Sequence, residues 1–186
     1  MVDLVTLREA RIELSRDIVA VEVPAGIEVT LVAGTSVTIA QELGGDFTLK
    51  NPLGYMYRVS GMDADALGKE VPVEALPPNL SEGEVTEEVI WEQLRKCYDP
   101  EIPVNIAELG LIYEVSVKPS SPTTNVFIQM SLTAPGCGMG QVLMDDVKRK
   151  VEQIPKVNAS VELTFDPPWT PALMTADARA ELGFRN

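Results

Sequence analysis

The sequence predicts an α+β protein, in which a small all-β module over residues 1–80 precedes an α-β-β-α-β-α domain with a mixed sheet over residues 81–186. Three observations lead to this prediction. Short apolar alternations fill the first half, a linker rich in proline and glycine follows at residues 68–84, and helical and strand periodicities alternate after it. A chain of 186 residues has room for two small domains, and their boundary is expected near Leu80.

The first half contains five short runs of alternating apolar residues between Val19 and Val59. Such alternation is typical of strands with one buried face. Turn-forming sequences separate the runs at close spacing, so we expect a small sheet or barrel of hairpins. These turns are Pro24-Ala25-Gly26, Ala33-Gly34-Thr35, Gly44-Gly45-Asp46 and Asn51-Pro52-Leu53-Gly54.

The second half begins with apolar residues at helical spacing over residues 85–97, for which Ser81 or Thr86 is the candidate N-cap. This helix is expected to end before the Asp99-Pro100 pair. A crossover helix before the last strand predicts that this strand pairs parallel to one of the first two. The later elements are strands at about 110–118 and 125–132 joined by a turn at 119–122, a helix at 139–154, a strand at 157–165, and a helix at 175–182 stopped by Gly183.

Composition excludes several classes of function. A net charge of −13 leaves no general surface for DNA or RNA phosphates. No apolar run approaches the roughly 20 residues that cross a bilayer, so we expect no membrane insertion. The N-terminus has acidic residues where a signal peptide needs an apolar core, and the sequence contains only two cysteines. Both observations predict a cytoplasmic protein. Without histidine, Ser-His-Asp and Cys-His catalysis and histidine zinc sites are unavailable.

The segment LTAPGCGMG, residues 132–140, is the most informative for function, because a strand end meets a glycine-rich turn that opens a helix. Gly136 and Gly138 let backbone N–H groups point into one concavity beside Cys137, and the helix dipole adds positive charge there. Both effects favour a thiolate, which is a nucleophile, a redox group or a soft-metal ligand. The structural alternative is a cysteine that fills a tight turn, and Thr133 either hydrogen-bonds near the thiol or ends its strand. Cys97, in contrast, lies on the inward stripe of its helix and is expected in the core.

Two further loops contain candidate site residues. Two prolines flank Glu101 in the turn that begins with Asp99. Their rigidity suggests a positioned pair of carboxylates. A helix terminator with a solvated glutamate explains the pattern equally well. Acids that face Cys137 would oppose thiolate formation, so they suit a bound metal or a cationic partner better. Trp169, in the loop DPPWTP, is a candidate partner-binding anchor, with capping of the core as the alternative.

The segments DPEIPVNIAELGLIY and LTAPGCGMG resemble the small domain shared by SufT, PaaD and related iron–sulfur cluster assembly factors. FDPPW and ARAELG are similar to the end of the same domain. The first half, from SRDIVAVEV to GGDFTL with GMDADALG, resembles the N-terminal extension of SufT-like proteins. Ala134 replaces a second threonine of some relatives, and Ile18 stands where some SufT sequences have a cysteine.

The resemblance implies a role in the maturation of iron–sulfur proteins. It makes Cys137 the reactive or ligating residue, and places Asp99, Glu101 and Thr133 in its pocket. One thiol cannot supply the usual four cluster ligands, so any cluster would be shared with a second subunit, a small thiol or a client. Such a cluster would be transient and labile, and none would be permanently bound. The expected partners are the iron–sulfur assembly machinery and client apo-proteins, with a homo-oligomer as one way to share a cluster.

Three functions remain open at this point. The leading hypothesis is a non-enzymatic accessory factor that helps to load clusters onto clients through Cys137. The second is a thiol enzyme or redox protein that uses Cys137, which the lack of histidine weakens. The third is a metal-free adaptor that docks through the Trp169 loop and the all-β module.

Overall fold

The structure, a computed structural model, describes residues 11–76, 78, 85–99, 102–136 and 138–184. The chain divides into two compact units, Met1–Ala75 and Leu76–Asn186. The domain boundary predicted near Leu80 lies outside the described residues. No helix in the described parts of either unit is long and apolar enough to span a membrane.

The first unit is a six-stranded sheet in which every pairing is antiparallel, in the order β1-β4-β5-β6-β2-β3. The predicted all-β module is therefore confirmed, with a short strand β1 added before the five expected ones. Two 3₁₀ helices, Gly61–Leu67 and Val73–Ala75, also follow the strands; they are too short to produce a periodic signal. The strands are β1 Ile12–Glu13, β2 Ile18–Val23, β3 Ile27–Leu31, β4 Ser36–Leu43, β5 Asp46–Lys50 and β6 Met56–Val59.

A buried ion pair joins β5 to β6 in this unit. Arg58 Nη2 lies 3.2 Å from Asp46 Oδ2, and both side chains are almost completely buried. The other carboxylate oxygen of Asp46 accepts a hydrogen bond of 3.2 Å from the Gly61 backbone N–H, so the carboxylate also fixes the start of the first 3₁₀ helix. A Cβ at Gly61 would lie 1.7 Å from the carbonyl oxygen of Gly45, so only glycine fits this crossing.

A second ion cluster joins the segment before β2 to the same 3₁₀ helix. Arg16 Nε donates to Asp65 Oδ2 at 2.8 Å, and its Nη2 donates to Asp63 Oδ1 at 2.9 Å. The hydrogen bond from Arg16 holds the pKa of the Asp65 carboxyl below its usual value of 3.8. The carboxylates of Asp65 and Asp63 in turn raise the pKa of the Arg16 guanidinium.

The second unit is a three-stranded sheet with helices, in the predicted α-β-β-α-β-α order. Strands β7 and β8 pair antiparallel, and β8 and β9 pair parallel, which confirms the mixed sheet and the predicted crossover. Thr86 accepts a hydrogen bond from the Val89 N–H and caps the first helix, whereas the alternative cap Ser81 lies outside the described residues. The elements are α1 Glu87–Leu94, β7 Ile112–Ser120, β8 Thr123–Met130, α2 Gly140–Glu152, β9 Val157–Leu163, a 3₁₀ turn Pro171–Leu173, and α3 Ala176–Glu181.

Several predicted boundaries differ from the structure by a few residues, and two of these differences have a clear physical cause. The turn predicted at 119–122 is shorter, because Pro119 and Ser120 pair with Thr124 and Thr123 and extend the hairpin. Proline is tolerated there because β7 is an edge strand. Helix α1 ends at Leu94 rather than Cys97, since the next residues form tighter i to i−3 hydrogen bonds, Lys96 to Gln93 and Cys97 to Leu94.

The Asp65 interaction predicts a pH dependence for the stability of the first unit. The pKa of Asp65 is lower in the folded protein than in the unfolded chain. The stabilisation that its interaction with Arg16 provides is therefore present above the unfolded pKa, and it is lost as the pH falls through the folded pKa. We expect Asp65→Asn to lower the unfolding temperature at about pH 6, and to show a smaller further decrease than wild type on acidification to about pH 3. Circular dichroism during thermal unfolding measures both.

The control for this measurement is Glu28→Gln, which removes the same charge from an exposed position on β3. It should leave the acid response of the protein unchanged. Identical acid responses for Asp65→Asn and wild type would contradict the role given to the Arg16 cluster.

Candidate functional site

Three loops of the second unit meet at one end of its sheet. Strand β7 begins at this end, and β8 and β9 finish there, because β7 runs antiparallel to β8 whereas β9 runs parallel to it. The Ser131 N–H donates to the Leu111 carbonyl at 2.8 Å, and the Thr164 N–H donates to the Met130 carbonyl at 2.8 Å. The loops at 98–111, 131–139 and 164–175 contain the predicted acidic turn, the predicted thiol and Trp169. Glu101 and Cys137 themselves lie outside the described residues.

The thiol loop is open to solvent on both sides of position 137. Gly136 and Gly138 are exposed, and Thr133 is partly buried at the strand end. Gly136 has a φ of +80°, in the left-handed region that glycine adopts without strain, and a Cβ there would meet no other atom within 4 Å. The backbone conformation, rather than a close neighbour, therefore accounts for glycine at this position.

Helix α2 begins directly against the end of the sheet. A Cβ at Gly140 would lie 2.8 Å from Leu132 Cδ1, so glycine allows the helix to approach this closely. Met139, the N-cap residue, is buried and forms no side-chain capping hydrogen bond, and the first turn of α2 contains no acidic residue. The positive end of the helix dipole is thus not offset by a carboxylate within that turn.

The acidic turn lies beside a structured loop. Tyr98 and Asn105 form an antiparallel bridge, and the carbonyl of the partly buried Asp99 accepts a 3.0 Å hydrogen bond from the Ile102 N–H. Burial raises the pKa of the Tyr98 hydroxyl, and the charges of Glu108 and Glu181 raise it further, while its hydrogen bond with Asn105 acts in the opposite direction. Two carboxylates, Glu108 and Glu181, therefore act on the Tyr98 hydroxyl next to this turn.

The C-terminal segment holds the acidic loop against the sheet. Trp169 Nε1 donates to the Leu109 carbonyl at 2.8 Å, and the Tyr113 hydroxyl donates to the Pro167 carbonyl at 3.0 Å. Gly110, with a φ of +68°, lies so close to this segment that a Cβ would be 2.2 Å from the Leu173 carbonyl oxygen. Trp169 also packs on the hydrophobic core. This is the structural role considered as its alternative, and its role as a partner anchor stays a prediction.

Cys97 is confirmed as a core residue. It is completely buried, and its Sγ donates to the Gln93 carbonyl at 3.6 Å. Ile18 is buried in the core of the first unit. Within the described residues, no group of three or more cysteine, aspartate or glutamate side chains is placed to hold a metal ion. Cys137 is thus the one cysteine of the sequence that is not assigned to a core.

Some residues that shape this end of the sheet were not identified from the sequence. Gly110 had a recognisable signal, a glycine between two buried leucines, but its close neighbour is more than 60 residues away in the chain. The sequence around Tyr113 does not indicate that its hydroxyl donates a hydrogen bond to the Pro167 carbonyl. Ser131 is completely buried, and its hydroxyl oxygen has no hydrogen-bond partner among the described residues. No local pattern distinguishes it from an ordinary strand serine.

Comparison with known proteins shows where the chain has relatives. A family model described as "Iron-sulfur cluster assembly protein" matches residues 87–163, from α1 to the end of β9. A Fe-S protein maturation auxiliary factor of Porphyromonas gingivalis is 45% identical over 100 residues, which cover 53% of this chain and 92% of that protein. The Bacillus subtilis auxiliary factor YitW is 34% identical over 103 residues, 55% of this chain and 98% of that protein.

A third relative is the Fe-S protein maturation auxiliary factor SufT of Staphylococcus aureus, 37% identical over 86 residues, which cover 46% of this chain and 94% of that protein. Matches of 86 to 103 residues account for more than nine-tenths of all three relatives, so none of them has room for both units of this chain. The resemblance of the first unit to a SufT extension stays a prediction. The second unit contains the matched family domain, and the chain belongs to the iron–sulfur cluster assembly protein family.

Proposed function

We propose that this chain is a non-enzymatic auxiliary factor of the cytoplasm, which helps to mature iron–sulfur proteins by transient cluster or iron ligation, or by client contact, through Cys137. The main support is that the loops before β7, after β8 and after β9, which contain the acidic turn, the thiol and Trp169 in their sequences, adjoin the same end of the sheet, in a chain that belongs to the iron–sulfur cluster assembly family. In this role the cluster is the cargo of the protein rather than its resident cofactor.

The charges around the site support a thiol that becomes a better ligand when a cation is present. The uncapped start of α2 favours the thiolate form of Cys137. In the proposed pocket, the carboxylates of Asp99 and Glu101 act against that thiolate when no metal is present. An iron ion reverses the second effect, because it attracts both the thiolate and the neighbouring carboxylates. A thiol with these properties is better suited to the binding and release of iron than to its permanent storage.

The number of available ligands also favours shared and short-lived ligation. With Cys97 buried, this chain supplies one thiolate of the usual four. The remaining ligands come from a second copy of the chain, a small thiol or the client itself. Transfer is then a ligand exchange in which a client cysteine replaces Cys137 on iron, with no net oxidation or reduction.

The pocket proposed around the cargo consists of Asp99, Glu101, Thr133, Gly136 and Gly138. The two glycines are exposed and Thr133 is partly exposed, so a client can approach this loop. Phe165 and Leu173, in the neighbouring loop, expose 41% and 45% of their surface. Exposed apolar side chains beside the loop support contact with a protein partner rather than with a small substrate.

The first prediction concerns Cys137→Ser. Full-length protein purified without oxygen from iron-limited cells should contain sub-stoichiometric iron and sulfide, or capture client proteins. The serine variant should lose both properties and fail to support a client enzyme, because the serine hydroxyl stays protonated near neutral pH and lacks the soft thiolate sulfur that iron–sulfur clusters favour. The matched control is Cys97→Ala, which removes the buried thiol and should retain iron and client activity.

Two results would support the other functions instead. If Cys137→Ser and wild type capture the same partners and neither contains metal, the protein is an adaptor. If Cys137 is alkylated rapidly near neutral pH and the protein turns over a small substrate, it is a thiol enzyme. Full client maturation by Cys137→Ser excludes any ligand role for the thiol.

A second prediction tests the shape of the thiol loop. Gly136→Ala should strain the left-handed turn by about 1 kcal/mol without a steric clash, and should reduce client maturation. Gly183→Ala is the control, because Gly183 also has a positive φ and open space around it, but follows α3. Equal maturation by both variants, measured as client enzyme activity, would show that loop geometry does not matter.

A third prediction separates the two roles of Trp169. Trp169→Phe keeps an aromatic ring but removes the donor to the Leu109 carbonyl, so it should lower the free energy of unfolding of the second unit by about 1 kcal/mol. Client capture should persist at temperatures where the variant is folded. Loss of capture by a folded Trp169→Phe protein would instead identify the indole as a partner anchor. Denaturant unfolding and affinity capture measure the two effects.

A further inference from the structure

The first unit contains a cleft that is lined by positively charged side chains, although the chain as a whole is acidic. Residues 11–75 contain five cationic side chains. Three of them, Arg16, Arg58 and Lys69, form ion pairs with carboxylates. The other two, Arg11 and Lys50, have no ion pair within the described part of the chain and line one cleft of about 150 Å³. No carboxylate is among the described residues that line it.

The strand register places these two cations on one face of the sheet. Thr38 on β4 pairs directly with Lys50 on β5. Ile12 on β1 pairs with Val37 on the other side of β4, so the antiparallel ladder continues with Arg11 beside Thr38. Residues directly opposite each other on adjacent strands share a face. Arg11, Thr38 and Lys50 therefore form a row across three strands, with roughly 10 Å between the outer two backbones.

The walls of the cleft provide further donors. Ser36 lies two residues from Thr38 on the same strand and also lines the cleft. The Thr38 hydroxyl lies 3.4 Å from the Lys50 carbonyl oxygen, a long hydrogen bond that a ligand oxygen can replace. Asn51 holds the adjoining turn, because its Oδ1 accepts hydrogen bonds from the N–H groups of Leu53 and Tyr55. This wall is formed before any ligand binds.

We propose that this cleft binds a small phosphate-bearing anion. Two cations match the charge of about −1.5 to −2 on a phosphate monoester near neutral pH, and the guanidinium, ammonium and hydroxyl groups match its several acceptor oxygens. The small cleft volume and the net charge of −13 exclude an extended polyanion. This ligand site belongs to the first unit and is independent of the function proposed for Cys137.

The test is a titration of the full-length, ¹⁵N-labelled protein with inorganic phosphate at constant ionic strength. We expect saturable shifts in the backbone amide signals of Ser36, Thr38 and Lys50. Arg11→Gln and Lys50→Gln should each weaken the affinity at least about tenfold, as expected for loss of a charged hydrogen bond. Both side chains are exposed, so these variants should stay folded, which their amide spectra report directly.

The matched control is Lys69→Gln, which removes one positive charge of the same unit from an ion pair outside the cleft. Its affinity for phosphate should equal that of wild type. A parallel titration with glycerol 3-phosphate distinguishes the source of the phosphate: tighter binding indicates a phosphorylated metabolite, and equal binding indicates that the phosphate group suffices. Non-saturable shifts, equal affinities in all four proteins, or saturation by citrate but not by phosphate would overturn the proposal.

Discussion

The parallel pairing of β8 with β9 is the constraint on which the second unit depends. It runs in unbroken register from Thr124 opposite Val157 to Met130 opposite Leu163. Two parallel neighbours cannot be joined by a tight turn, so the chain must cross back through α2. The loop between β8 and α2 therefore starts at the same sheet end as the loop after β9. A hairpin in place of this crossover would separate the thiol loop from the proline-rich loop.

Close packing at this end then fixes the loops with little freedom. Gly140 allows α2 to start against Leu132, and Gly110 allows the acidic loop to lie against the Leu173 backbone. At the far end of α2, the buried Lys150 ammonium donates to the Lys96 carbonyl beyond α1, which ties the two helices together. The exposed part of the site is thus short, and the elements that support it are buried. Such an arrangement combines an exposed loop with a buried supporting frame.

Charge is organised differently in the two units. In the second unit, the carboxylates of Glu108 and Glu181 place negative charge beside the Tyr98 hydroxyl. In the first unit, Asp46 neutralises Arg58 between β5 and β6, and Asp65 neutralises Arg16, which joins the segment before β2 to the 3₁₀ helix. What remains there is the pair Arg11 and Lys50, on one face and with no acid among the described residues that line their cleft. A strongly acidic chain can therefore still present a local cationic surface.

The sequence by itself determined the local elements, because their signals are local. Alternation identified five of the six strands of the first unit, helical spacing and Thr86 identified α1, and the inward register of Cys97 predicted its burial. The glycine-rich turn before α2 and the crossover to a parallel strand followed from the same reasoning. Only the tertiary structure decided which loops meet, that Trp169 turns its indole N–H toward Leu109, and that Arg11 and Lys50 flank Thr38. Those outcomes depend on contacts between residues far apart in the chain, and short-range periodicity contains no information about such contacts.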